Sequence, residues 1–77
     1  MQLMSVKLDQ RVVFPEGYDC YPHFLFQERL EGTVTLIENE FICVKLDTHK
    51  KELDEWDNCI HARVDEDTQE VTGLEAL

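Results

Sequence analysis

The stretch "GTVTLIENEFICVKLD", Gly32 to Asp47, decides the fold class, because it reads as two strands folded back on each other. Threonine, valine and isoleucine fill its first arm, and valine, isoleucine and phenylalanine its second. These β-branched and aromatic residues pack well on a pleated surface. Glu38-Asn39-Glu40 falls where a short hairpin loop is needed. Strand alternation then assigns Val34 and Leu36 on one arm, and Ile42, Val44 and Leu46 on the other, to a core face. The opposite parity carries Thr33, Thr35, Phe41, Cys43 and Lys45, with Ile37 as an apolar exception. Ile37 and Phe41 would thus flank the turn as a small outer apolar patch, of the kind that suits a subunit contact.

Working outward from the hairpin, "MSVKLDQRVVF" alternates Met4, Val6, Leu8, Val12 and Phe14 against Ser5, Lys7, Asp9 and Arg11, which predicts a half-buried strand. Gln10 breaks that parity, so a bend or bulge is expected near Asp9-Gln10. "PEGYDCYP" reads as a loop punctuated by proline and glycine, and "HFLFQERL" as an aromatic-rich strand. Downstream, "THKKELDEWDN" holds good helix formers with Leu53 and Trp56 three apart, enough for one helical turn but too short to nucleate alone. "NCIHARV" reads as a strand and "DEDTQ" as a charged turn. "EVTGLEAL" closes the chain as a short strand or tail, so residues 65–77 are expected to form an acidic, fraying C-terminal segment. About five short strands with tight connections and one helical turn predict an all-β fold, a small antiparallel five-stranded barrel spanning residues 1–77 as a single domain.

Composition narrows the function classes. Seventy-seven residues lie near the lower limit for a single self-sufficient core, where a metal, a disulfide or a partner subunit commonly adds support. Three cysteines cannot all pair within the chain, and "MQLMSVKLDQ" has neither a signal-peptide apolar core nor a membrane-spanning run. A cytoplasmic protein with reduced thiols is expected. The net charge of -10 is uneven: residues 52–77 carry nine acids against one base, and residues 1–51 eight acids against six bases. Such a surface repels nucleic-acid phosphates and anionic lipid headgroups, so no direct nucleic-acid partner and no membrane partner is expected.

The order of elements resembles the SH3-like small β-barrels over roughly residues 10–64. The resemblance lies in the strand "RVVF", the long aromatic loop "PEGYDCYPHFLFQE", the hairpin, the turn "LDEW" and the strand "NCIHARV". It implies a binding module for peptides, nucleic acids or further copies of the same chain. Proline-peptide-binding members of that group use clustered exposed aromatics, and Tyr18, Tyr21 and Trp56 are the residues here that could form such a groove.

Two pairs, "CYPH" and "DNCIHA", bear on metal and nucleophile chemistry. Cys20, His23, Cys59 and His61 supply the thiolate and imidazole ligands that suit tetrahedral zinc, and in a strand Cys59 and His61 share a face. Against zinc stands the C-x-H spacing of the second pair, unusual for a structural site, and the ordinary use of free cysteine as a small buried hydrophobe. No cofactor is therefore expected, with zinc as the alternative. A cysteine nucleophile fares worse, because side chains two apart on a strand lie roughly 6–7 Å apart, beyond hydrogen-bond reach, and no oxyanion-loop motif accompanies them. "DEDTQE" lacks the glycine and flanking helices of a calcium loop. For "DNCIHA" itself, the register with Trp56 favours Ile60 inward and His61 outward.

These readings combine into a small acidic, non-enzymatic protein-interaction module that self-associates. Its surface would consist of Tyr18, Tyr21, Trp56, Ile37 and Phe41 with the acids Glu52, Asp54 and Glu55, and would steer a basic or proline-containing peptide or protein. The alternative is a barrel oligomer that binds a small ligand or zinc, with or without catalysis.

Overall fold

The computed structural model describes residues 1–20 and 24–77, with the side chains of Cys20 and Phe24 left aside. Tyr21 and His23 lie outside the described residues. The described residues form seven strands: β1 Arg11–Phe14, β2 Asp19–Cys20, β3 Phe24–Leu25, β4 Leu30–Ile37, β5 Phe41–Leu46, β6 Cys59–Arg63 and β7 Glu75–Ala76. Five of them form one antiparallel sheet in the order β6-β5-β4-β1-β7, and β2 and β3 form a separate ribbon. The class is all-β, as the alternation predicts.

The expected closed barrel is not what forms. Among the described strands β6 and β7 do not pair, so the sheet is not closed. The reason lies in the short last strand: β7 contributes only two residues, both paired to β1, and between β6 and β7 the described chain makes only two isolated bridges, Val64 to Val71 and Glu70 to Gln2. Parts of the C-terminal segment pack on the rest of the fold. Val71 and Leu74 are buried, the Val71 N–H donates to the Met1 carbonyl, and Leu3 N–H donates to the Gln69 carbonyl.

The central hairpin forms as expected, with β4 and β5 joined through Glu38-Asn39-Glu40. Its faces differ in one place. Val34 pairs with Val44, but Leu36 pairs with Cys43 and Ile37 with Ile42, so an extra residue sits at Thr35. A bulge of this kind flips the parity beyond it. Leu36 is therefore turned outward, 42% exposed, and Ile37 packs against the core instead of joining an outer patch. Ile42, Val44 and Leu46 face inward as predicted, meeting Val12, Phe14, Val34, Ile60 and Ala62. Gly32 lies where a Cβ would stand 2.6 Å from the Lys45 carbonyl oxygen, so the approach of β4 to β5 needs a residue without a side chain.

Two further expectations fail for local reasons. The N-terminal strand begins only at Arg11; before it lies a 3-10 turn, Leu3–Ser5, and Met4 and Leu8 are exposed. Gln10 ends that segment by closing a turn on Lys7: its N–H donates to the Lys7 carbonyl and its Oε1 accepts from the Lys7 N–H, while Asp9 takes a left-handed φ of 68°. The bend expected at Asp9-Gln10 is thus present, but it releases the preceding residues from the sheet. "HFLFQERL" is likewise not one strand. Phe24–Leu25 pairs with Asp19–Cys20, inside the stretch expected as loop, and Phe26 then turns into the core.

The helical turn appears as a 3-10 helix, Lys51–Trp56, whose Leu53 is buried. Asp57 and Asn58, both left-handed at φ 54° and 60°, end it and aim the chain into β6. Asn58 is buried and fully engaged. Its Nδ2 donates to the carbonyls of Leu46 (3.1 Å) and Thr48 (2.9 Å), and its Oδ1 accepts from the Lys50 N–H (2.9 Å). One side chain thus fixes the connection between β5 and the 3-10 helix.

Candidate functional site

The outer face of the β4–β5–β6 sheet collects most of the chemistry singled out in the sequence. The register sets Leu36, Cys43 and His61 in one row across the three strands, with Thr33, Lys45 and Cys59 in the next and Phe41 beside Arg63 at the far end. Ile60 and Ala62 are buried and His61 is exposed, so "DNCIHA" faces the way its register with Trp56 implied. The His61 ring stacks on Phe41, with centroids 4.9 Å apart and planes 19° off parallel. Phe41 is half-buried, and with Leu36, diagonal to it on the same face, it forms a small apolar strip.

Cys43 is buried although it points to the outer side, and Cys59 is half-buried; both are free thiols. Burial pushes both thiols above their ordinary pKa, helped for Cys43 by nearby Cys59 and Glu38, and opposed for Cys59 by Lys45. The thiolate is the nucleophile and the metal ligand, so this environment holds both sulfurs in their less reactive form near neutral pH. Of the four zinc candidates, Cys59 and His61 share a face, while His23 and the side chain of Cys20 fall outside the described residues. Among the described residues no three of His, Cys, Asp or Glu are gathered as a metal site.

The aromatic candidates separate. Tyr18 is half-buried against the core, its ring 4.7 Å from Phe14 and 5.4 Å from Phe26, and Gly73 sits so close beneath it that a Cβ there would stand 3.1 Å from the ring. Trp56 ends the 3-10 helix and is 36% exposed. Glu52, Asp54 and Glu55 are exposed on the same helix, and Asp54 Oδ1 lies 2.5 Å from His49 Nε2. Trp56 and these acids therefore form one region, and Tyr18 belongs to another. Tyr21 lies outside the described residues.

Sequence reading missed an open basin of about 900 Å³. Its walls come from the end of β6 with the turn after it, from Tyr18 and Asp19, and from the hairpin loop at Asn39-Glu40. Four acids border it, Asp19, Glu40, Asp65 and Glu66, against Arg63 and the imidazole of His61. Asp65 is held below the usual carboxylate range because it accepts the backbone N–H groups of Thr68 and Asp67, so it stays ionised. No local pattern could have revealed this basin, since its acids sit in β2, in the hairpin loop and in the turn after β6, which only the fold brings together.

No known protein family, curated protein or solved structure matches the chain. No helix among the described residues is long and apolar enough to cross a membrane.

Proposed function

We propose that this chain is a small acidic, non-enzymatic protein-interaction module of SH3-like build, which self-associates through the outer face of its sheet and draws in a basic or proline-containing partner. The observation that carries the reading is the apolar strip of exposed Leu36 and half-buried Phe41 on a face otherwise lined by polar residues. A 77-residue chain has little core to spare, and covering that strip with a second copy adds buried apolar area. The strand order and the long first connection support the SH3-like reading, with the barrel left open. Glu52, Asp54 and Glu55 before β6, with Asp65 and Glu66 after it, supply the field that attracts a cationic partner; that attraction weakens with salt. The free Cys43 and Cys59 thiols fit a reducing, cytoplasmic setting.

Native mass spectrometry of the chain purified without chelator tests the reading. A multimer that Phe41→Lys together with Leu36→Lys converts to monomer supports it, and a monomer at every concentration removes self-association. The alternative, a zinc- or ligand-binding oligomer, draws on Cys59 and His61 sharing a face; it predicts added mass in the same spectrum.

A further inference from the structure

The outer face of β5 and β6 holds two thiols whose spacing the register fixes. Val64 N–H donates to the Glu40 carbonyl and Leu46 N–H to the Asn58 carbonyl, so the hydrogen-bonded pairs alternate between these two. Cys43 with His61, and Lys45 with Cys59, are therefore pairs without mutual hydrogen bonds, the kind whose side chains stand closest. Right-handed twist then brings one diagonal on that face nearer than the other. Phe41 and His61 show which one: Phe41 lies opposite Arg63, yet its ring stacks on His61 with centroids 4.9 Å apart. Cys43 and Cys59 occupy the same diagonal two residues further along, and the Cys59 sulfur is near enough to bear on the ionisation of Cys43.

What can span two such sulfurs follows from bond lengths. A disulfide needs its sulfurs about 2.05 Å and its Cβ atoms about 3.8 Å apart, whereas diagonal neighbours on a sheet stand roughly 6–8 Å apart. One metal ion between two thiolates, with bonds of about 2.3 Å, holds its sulfurs up to roughly 4.6 Å apart and so closes the wider gap with little movement of either strand. Burial keeps both thiols protonated near neutral pH, so an ion that binds them must prefer thiolate strongly enough to displace the protons. Among the described residues no three of His, Cys, Asp or Glu gather, and the His61 ring is taken up by Phe41. Structural zinc takes four ligands, whereas Cu(I), a softer ion, is satisfied by two thiolates. We propose that Cys43 and Cys59 together bind one Cu(I) ion as a two-coordinate bis-thiolate on the outer face of the sheet. Each sulfur forms one bond to copper and gives its proton to solvent, with no change of oxidation state. The loaded site carries one negative charge, which Lys45, directly across from Cys59, offsets against the nearby Glu38 and Asp57. This site goes beyond the interaction reading and does not depend on it.

An anaerobic titration of the reduced chain with Cu(I), in competition with the chromophoric chelator bicinchoninate, tests the site. One ion per chain is expected, with a thiolate-to-copper absorption band in the ultraviolet. Cys43→Ala and Cys59→Ser are each expected to weaken binding at least about hundredfold, beyond what loss of a supporting group costs a metal site. Cys20→Ser is expected to leave it unchanged, and Zn(II) offered in place of Cu(I) to bind far more weakly. Phenylarsine oxide checks the pairing in the unaltered chain, where no variant has to fold. Its arsenic bonds two neighbouring thiols while its oxygen leaves as water, and it is expected to join the tryptic peptides 30–45, with Cys43, and 52–63, with Cys59. Loss of all copper from the unaltered chain to bicinchoninate overturns the proposal, as does undiminished binding in either cysteine variant or dependence on Cys20. Tight Zn(II) binding overturns it in favour of the zinc alternative, and one ion per two chains overturns it by placing the metal between copies. Self-association is read separately, from the mass of the metal-free chain.

Discussion

The sheet's inner face and the connection from Asp47 to Asn58 are held together in opposite ways. Across the inner face, stability is distributed: Val12, Val34, Ile42, Val44, Ile60 and Ala62 are all fully or almost fully buried, and each apolar contact contributes a little. In the connection it is concentrated, since the Asn58 side chain, donating two hydrogen bonds and accepting one, organises the chain around one short 3-10 helix. Distributed apolar support leaves a period in the sequence that can be counted. Concentrated polar support leaves only a single asparagine.

Truncating the distributed side has the largest expected effect. Ile42→Ala removes a fully buried side chain and is expected to cost about 3–4 kcal/mol in urea unfolding; a cost under about 1 kcal/mol would mean that the inner face is loosely packed and the contrast false. Asn58→Ala comes next, at about 2–3 kcal/mol, because it strands two carbonyls and an N–H while also leaving a left-handed φ to alanine. Hydrogen exchange sharpens this second case: the loss should loosen the Lys50 and Leu53 amides before those of β5. Gly73→Ala, at φ 80° and against the Tyr18 ring, is expected to cost about 1–2 kcal/mol by thermal melting.

Smaller still is the response to acid. Asp47 is held below its ordinary pKa by its hydrogen bond to Arg11, and Asp65 by the Thr68 and Asp67 N–H groups. Both folded-state values are depressed, so the stabilisation is complete above about pH 4 and is lost as the pH falls through the lowered values. A melting temperature that declines modestly only in that acid window, and less so in Asp47→Asn, is expected. Leu36→Thr should leave the melting temperature of the monomer nearly unchanged, because the bulge has already turned Leu36 to solvent. A loss as large as that of Ile42→Ala would place Leu36 back in the core.

The same contrast explains what could be read in advance. The alternation in β5 and β6 is uninterrupted, and it assigned Ile42, Val44 and Leu46 inward and His61 outward. In β4 the alternation continues in the letters but not in space, because Val34-Thr35-Leu36 reads identically with or without an inserted residue. Met4, Val6 and Leu8 keep perfect period, yet the Lys7–Gln10 turn takes Met4 and Leu8 out of the sheet. Open closure followed from a two-residue β7, a length that Gly73 hinted at but did not determine. The acidic basin is a property of three separate segments meeting in space, and proximity of that kind has no period at all.

Thr35 has one more consequence, for how the chain tolerates changes in length. Deleting it would leave Val34 opposite Val44, Leu36 opposite Cys43 and Ile37 opposite Ile42, the partners they already have, with only the local twist and the weak Thr35 Oγ1 contact to the Cys43 carbonyl surrendered. A single-residue deletion in the middle of β5 would turn over every residue between it and the next irregularity. The bulge is thus a place inside the sheet where a one-codon deletion can be absorbed without moving any other side chain across the sheet.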